Sequence, residues 1–251
     1  MKQLFFIFLI FTCASSQIKV WDAAHAHNDY ENKRPLIDAL ENGFTSIEVD
    51  VHLKKGQLFI SHNTPIRLDT SKTLASLYLS PLSHHIKNNN GEIYKGYKGK
   101  FYLMLDIKTD ATQTFKAIEK EMLRFPLILE KTQVFISGNR NYQQIIESKL
   151  SIGVDGRLSD LGQGYNSKYM PVVSANYKGL FKWNGKKSMP STELRELKVW
   201  VQKAHKENKQ IRFWGIPDNP NGWEMLLNAG VDLINTDKVQ DFNNYMLTNQ
   251  K

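Results

Sequence analysis

The sequence predicts an α/β protein built as a single (β/α)8 TIM barrel with irregular connections, and three observations carry that expectation. Apolar segments of strand length alternate with longer segments of helical period, the pattern of a parallel sheet covered by helices. Eight strand candidates can be counted in that alternation. The chain has 251 residues, the usual size of one such barrel, so its length requires no second domain.

The expected strands are Lys19 to Ala24, Thr45 to Val51, Phe101 to Ile107, Gln133 to Ser137, Ile152 to Asp155, Pro171 to Ser174, Gln210 to Trp214 and Val231 to Asn235. Helices are expected near Pro35 to Asn42, Ala111 to Arg124, Tyr142 to Lys149, Ser191 to Glu207 and Gly222 to Ala229. Phe115, Ile118 and Met122 form one apolar stripe, as do Leu194, Leu197, Val201 and Ala204. Pro35 suits a first helical turn, and Gly43 and Gly230 suit the left-handed residue that ends a helix. Two of the gaps show no obvious helix. Lys55-Gly56 reads as a tight turn leading into a short extended piece that ends at His62. The stretches 88–100 and 177–190 read as surface loops.

Met1-Lys2-Gln3, the apolar run Leu4 to Phe11 and the small residues up to Ser16 have the order of a secretory signal peptide. Residues 1–16 are therefore assigned to that segment and 17–251 to the barrel domain, and a secreted or periplasmic protein is expected. Cys13 is the only cysteine and lies inside the segment, so cleavage leaves no thiol, disulfide or zinc-thiolate site. Lipidation of Cys13 is the weaker alternative, because Thr12 precedes it. The formal charge of +8 suits either attraction to anionic substrates or lipid surfaces or a lysine-rich solvated surface. A monomer acting on a small or lipid-derived substrate is expected, with no nucleic-acid partner. The 177–190 stretch, which carries Phe181, Trp183 and several lysines, reads first as an ordinary exposed loop, with transient contact with a membrane surface or amphipathic substrate as the alternative.

Residues two apart on a strand share a face, so Glu48 and Asp50 project together while Ile47, Val49 and Val51 face the helices. The next strand repeats the device, with Leu103, Leu105 and Ile107 outward and Met104, Asp106 and Lys108 inward. Inward carboxylates at the C-terminal ends of barrel strands need a partner. A hard divalent cation such as Ca2+ or Mg2+ is one, since it takes carboxylate, amide and water oxygens. A structural ion pair, Asp106 with Lys108 or Glu48 with Lys108, is the other. Lys108 can also hold a phosphate oxygen as a point charge. The first strand ends in Ala24-His25-Ala26-His27-Asn28-Asp29-Tyr30. His27, and His62 after the extended piece, are candidate proton donors and acceptors, and Asn28 offers an amide oxygen to a cation. His25 points the same way as His27, either toward substrate or into the packing of the barrel mouth.

His27-Asn28-Asp29-Tyr30, Glu48-Val49-Asp50, His62-Asn63 and Asp106-Ile107-Lys108 together resemble the ordered motifs of the phosphatidylinositol phospholipase C-like phosphodiesterase superfamily. That superfamily includes the glycerophosphodiester phosphodiesterases. The opening His-Ala-His-Asn-Asp-Tyr is similar to the branch of the altered inheritance of mitochondria proteins. The segment from Arg212 to Asp218 and the segment from Leu226 to Asp237 resemble the last two strands of glycerophosphodiester phosphodiesterases. The resemblance implies a metal-dependent phosphoric diester hydrolase with His27 and His62 as the acid/base pair and Glu48, Asp50 and Asp106 as ligands of one divalent cation. It implies Asn28 as a further ligand only in the phospholipase C version of the motif. Lys108 matches a phosphate-contacting lysine and Trp214 a substrate-side aromatic. Asn28 stands where the glycerophosphodiester pattern has an arginine, which leaves part of the phosphate grip unassigned.

Two other readings start from the same residues. His-x-His closing a first barrel strand also opens the metal-dependent amidohydrolases, but the middle strands end in Ser137, Asp155 and Ser174 without a histidine. A catalytically silent barrel that binds phosphate or lipid has no need of two titrating imidazoles.

Overall fold

A computed structural model describes residues 18–249. The expected signal peptide and Cys13 lie outside the described residues. The strands are β1 (Trp21–Ala26), β2 (Phe44–Lys54), β3 (Gln57–Ile60), β4 (Tyr102–Ile107), β5 (Gln133–Gly138), β6 (Ile152–Gly156), β7 (Val172–Asn176), β8 (Gln210–Trp214) and β9 (Leu233–Thr236). Around them lie α1 (Ile37–Glu41), α2 (Ser80–Asn88), α3 (Ala111–Met122), α4 (Pro126–Lys131), α5 (Tyr142–Ile146), α6 (Tyr177–Leu180), α7 (Ser191–Lys206), α8 (Pro220–Asn228) and α9 (Val239–Asn249).

The sheet runs β1-β9-β8-β7-β6-β5-β4-β2, and β1 pairs again with β2, so eight parallel strands close into a barrel. β3 adds to β2 antiparallel through a hairpin whose turn residues, Lys55 (φ 47) and Gly56 (φ 76), are both left-handed. Such turns match the twist of paired strands. The expected strands all exist, with ends displaced by up to three residues. β1 runs on to Ala26 because its last residues pair with both β2 and β9.

Four helices escape the sequence reading, α2, α4, α9 and the single turn of α6 inside an expected loop. In α2 the buried apolar residues are Leu82 and Ile86, too few to stand out among polar neighbours. α4 is short, and α9 buries Val239, Phe242 and Met246 along one face. Among the described residues, the β6–β7 connection contains no α-helix, only a 3-10 turn at Leu158–Asp160.

The two expected surface loops are corrected. Ile93 and Tyr94 of the first are buried, and the Tyr94 hydroxyl donates to the Phe44 carbonyl at 2.6 Å. In the second, Phe181 and Trp183 are only 3% and 8% exposed. Phe181 packs against Tyr177 and Phe213. These aromatics alternate with outward lysines, so charge density hid a period-two pattern. They offer no apolar face to a membrane.

The barrel is layered. Ile47, Val49, Val51, Leu103, Leu105 and Ile107 pack outward under the helices as part of the main core. Inside the barrel, Tyr102, Met104, Phe135, Val172 and Leu233 form a separate apolar plug. Above it the interior turns polar, and that change of layer makes the floor of the site.

Candidate active site

β2 and β4 are in parallel register with Glu48 opposite Met104 and Asp50 opposite Asp106. Asp50 and Asp106 are therefore neighbours on the inner face, and Glu48 lies one inward position below Asp50. Glu48, Asp50 and Asp106 each present an oxygen within 4.8 Å of the others. Glu48 and Asp50 are buried and the Asp106 carboxylate is 16% exposed. Gly138, at φ +66, keeps Asp106 in place from β5, since a Cβ there would run into Asp106 Oδ1.

Lys108 Nζ stands 3.0 Å from Asp50 Oδ1 and 2.9 Å from Asp106 Oδ1. The Asp106–Lys108 ion pair expected as one alternative is therefore present within the cluster of three carboxylates. Both carboxylate oxygens are buried without a properly directed hydrogen bond. Two of the three carboxyl groups touch the one ammonium, and the remaining negative charge is offset by Arg212 and a protonated His27 only from beyond hydrogen-bond distance, which burial makes costly. Burial pushes Glu48 up to about 7, with Asp50 adding to the rise and His27 opposing it. Burial raises Asp106 too, against the pull of Lys108. An all-oxygen cluster carrying this surplus fits a hard divalent cation held by Glu48, Asp50 and Asp106.

His27 follows β1 directly, its backbone N–H donating to the Thr236 carbonyl of β9 at 3.0 Å. Its Nδ1–H donates to Asp237 Oδ1 at 2.7 Å, and Nε2 lies 3.9 Å from Glu48 Oε2. Burial pulls the imidazolium down, but the Asp237 bond and the charges of Glu48 and Asp237 outweigh it and hold the pKa above its ordinary value. Asp237 is itself placed by Asp218, whose Oδ2 accepts from the Asp237 N–H while its Oδ1 accepts from Trp223 Nε1–H.

Asn28 adopts the left-handed conformation (φ 47, ψ 42), which Asn tolerates better than most residues. Its backbone N–H thereby donates to Glu48 Oε2 at 2.7 Å. The Tyr30 hydroxyl is 2.9 Å from both Asn28 Oδ1 and Asp50 Oδ2, and 3.4 Å from His62 Nδ1. His62 arrives on the β2–β3 hairpin, with Nδ1 3.4 Å from Asp50 Oδ2 and a side chain 59% exposed. His52 secures that hairpin, its Nε2–H donating to the Ser61 carbonyl at 3.0 Å.

His27, Asn28, Glu48, Asp50, His62, Asp106, Lys108 and Trp214 all line one cavity of 340 Å³ at the C-terminal end of the barrel. His25 does not. Foreseen as a possible substrate contact, it is fully buried beneath the floor, bonded to Ser46 Oγ at 2.6 Å and to Arg212 Nη1 at 3.1 Å. Its inward direction was read correctly, but it sits one layer lower, at the level of Ser46.

The same cavity receives residues that sequence reasoning left without a role: Arg212, Arg157, Asp155 and Ser137. Asp155 is the hub, accepting from Ser137 Oγ (2.7 Å), Ser174 Oγ (2.6 Å) and Arg157 Nη1 (2.9 Å). Inward period-two positions on β6 to β8 carried this signal: Asp155, Ser174 and Arg212 are polar positions in apolar strands. Asp237 and Tyr30 left no signal beyond their place in the motifs.

The family model described as AIM6-like phosphodiesterase domain matches residues 15–150, and that of the glycerophosphoryl diester phosphodiesterase family matches residues 210–240. The chain is 28% identical to altered inheritance of mitochondria protein 6 of Eremothecium gossypii, over 88% of this chain and 68% of that protein. It is 27% identical to the homologue from Arthroderma benhamiae, over 88% and 82% respectively. The fold is similar to the crystal structure of a glycerophosphodiester phosphodiesterase from Parabacteroides distasonis, with a TM-score of 0.58 and 17% identity over 91% of this chain and 98% of that one. A glycerophosphodiester phosphodiesterase from Agrobacterium tumefaciens gives 0.54 and 14% over 90% and 100%.

Proposed function

We propose, from the premise that this chain belongs to the AIM6-like phosphodiesterase domain family, that it is a metal-dependent phosphoric diester hydrolase acting on a glycerophosphodiester or a related phospholipid-derived diester. The observation that carries this reading is the placement of His27 and His62 in one cavity with the buried cluster of Glu48, Asp50 and Asp106. Two imidazoles beside a carboxylate cluster and a lysine are the parts that diester cleavage needs.

Glu48, Asp50 and Asp106 would hold Ca2+ or Mg2+, and the Asn28 amide oxygen, which shares the Tyr30 hydroxyl with Asp50, would be a further ligand. When bound, the cation would supply charge stabilisation to a phosphoryl oxygen. Lys108 would add a point charge on the same side. His27, held toward its protonated form by Asp237, is suited to be the acid: it gives its proton to the leaving alkoxide as the P–O bond breaks. His62, more exposed, is suited to be the base that takes the proton from the attacking oxygen, from water or a substrate hydroxyl. Trp214, 43% exposed at the mouth, offers a flat apolar surface to the organic part of the substrate.

The test is a panel of glycerophosphodiesters, phosphoinositides, lysophospholipids and chromogenic diesters, run with Ca2+, Mg2+ and chelator and followed by phosphorus NMR. Cleavage that requires a divalent cation is expected. No cleavage of any diester with either cation, or cleavage indifferent to chelator, overturns the reading.

A further inference from the structure

Arg212 lies on β8 with its side chain directed into the barrel, 4% exposed. Its hydrogen bonds all go to neutral groups. Nε–H donates to Ser174 Oγ at 3.0 Å, and Nη1 donates to Asn235 Oδ1 at 2.5 Å and to His25 Nε2 at 3.1 Å. No ion pair joins Arg212 to a carboxylate among the described residues. Nη2 makes no hydrogen bond there and is not sealed in by protein, and the residue lines the cavity that holds the carboxylate cluster.

The neutrality of this cradle is built in. Because a guanidinium can only donate, His25 Nε2 must be an unprotonated acceptor, which leaves Nδ1–H to donate to Ser46 Oγ. Burial, then the charge of Arg212, push the His25 pKa well below its ordinary value. Asp155, which could have neutralised the guanidinium, has its two oxygens taken by Ser174, Ser137 and Arg157. Glu48 and Asp106 feel the field of Arg212 without touching it. Once a cation occupies those carboxylates, little in the cavity balances the arginine.

A buried cation among neutral acceptors is expensive to maintain unless an anion shares its cavity. We propose that Arg212 is the anion-gripping residue of this site, its free Nη2 binding a non-bridging phosphoryl oxygen of the substrate, and that His25 is the positioning residue that aims it. This rests on the phosphodiesterase reading and completes it, because Asn28 stands where the related pattern has a basic residue. A planar guanidinium fixed through both Nε and Nη1 presents Nη2 in one orientation, which suits a phosphoryl oxygen better than a mobile ammonium does.

The test is binding of inorganic phosphate, measured by calorimetry with magnesium present, on the whole protein. Wild type is expected to bind one phosphate, Arg212→Gln to bind at least about tenfold more weakly, and Arg212→Lys to fall between them. His25→Leu should weaken phosphate binding and His25→Gln, which can still accept from Nη1, should restore part of it. Melting curves establish that each variant is folded. If Arg212→Gln does not fold, Arg212→Lys decides, and wild-type affinity in it overturns the proposal. So does wild-type affinity in a folded Arg212→Gln, or no phosphate binding by the wild type. If Arg212→Gln loses phosphate while the wild type cleaves no diester, the anion site stands and the hydrolase reading falls. If Arg212→Gln binds phosphate and cleaves diesters normally, the reverse holds.

Discussion

His27 and Asp237 are 210 residues apart in sequence, yet the imidazole Nδ1–H donates to the carboxylate at 2.7 Å. The contact forms because β1 and β9 are adjacent in the closed barrel, with Ala26 opposite Thr236. It fixes the His27 tautomer and leaves Nε2 facing the cavity. Asp237→Asn removes the charge and leaves only a weaker amide acceptor for the His27 Nδ1–H, so the His27 pKa should fall. Because the Asp237 side chain is 64% exposed, the loss in kcat/KM should be modest, about tenfold, with the alkaline limb of the pH profile moved lower. Proton NMR titration of His27 beside the pH–rate curve checks both. An unmoved titration would remove Asp237 from the mechanism.

His27→Ala and His62→Ala should each lower diester turnover by about 10²–10⁴-fold. Neither side chain belongs to the hydrophobic core, so circular dichroism and the melting temperature should stay close to wild type. Full activity in either variant would end the acid/base assignment.

The metal-free protein should lose stability as pH rises. Burial lifts Glu48 from 4.5 to about 7, so the folded state binds this proton more tightly than the unfolded chain does. The stabilisation is complete below the unfolded value and is lost as pH climbs through the folded one. The raised His27 works in the same direction near neutrality. In chelator, Tm should fall from about pH 5 to about pH 8, and Glu48→Gln should flatten the fall. Saturating Ca2+ or Mg2+ should reduce the slope, since the cation favours the ionised carboxylates. Thermal melts across pH, with and without cation, decide it, and a Tm that climbs over this interval in chelator would contradict the uncompensated cluster.

Gly138→Ala should be destabilising despite its small size. The position has φ +66, and the new methyl would meet Asp106 Oδ1 and the Ile107 carbonyl. A loss of about 1–3 kcal/mol is expected, together with weaker cation binding because Asp106 must move. Denaturant titration and calorimetry with Mg2+ measure the two effects. Unchanged stability would mean that the strand end is looser than the register with β4 implies.

Much of this was legible along single strands. Alternation in β2 and β4 placed Glu48, Asp50, Asp106 and Lys108 on one face, and the structure keeps them there. The period-two rule gives direction but not depth, so it left His25 open between substrate contact and packing, and the structure puts it under the floor beside Ser46. Lysine-rich spacing concealed the burial of Phe181 and Trp183, because charge averages over a segment while packing acts on alternate residues.

Sequence alone determined the (β/α)8 class, the inward carboxylates and the order of the motifs, since each follows from short-range periodicity or from residues close together in the chain. Only the tertiary structure decided the partners across the barrel: Asp237 on His27, Tyr30 between Asn28, Asp50 and His62, and Arg212 in its neutral cradle. Closure of β1 against β9 and the stacking of interior layers create these contacts, and neither leaves a local trace in the order of residues.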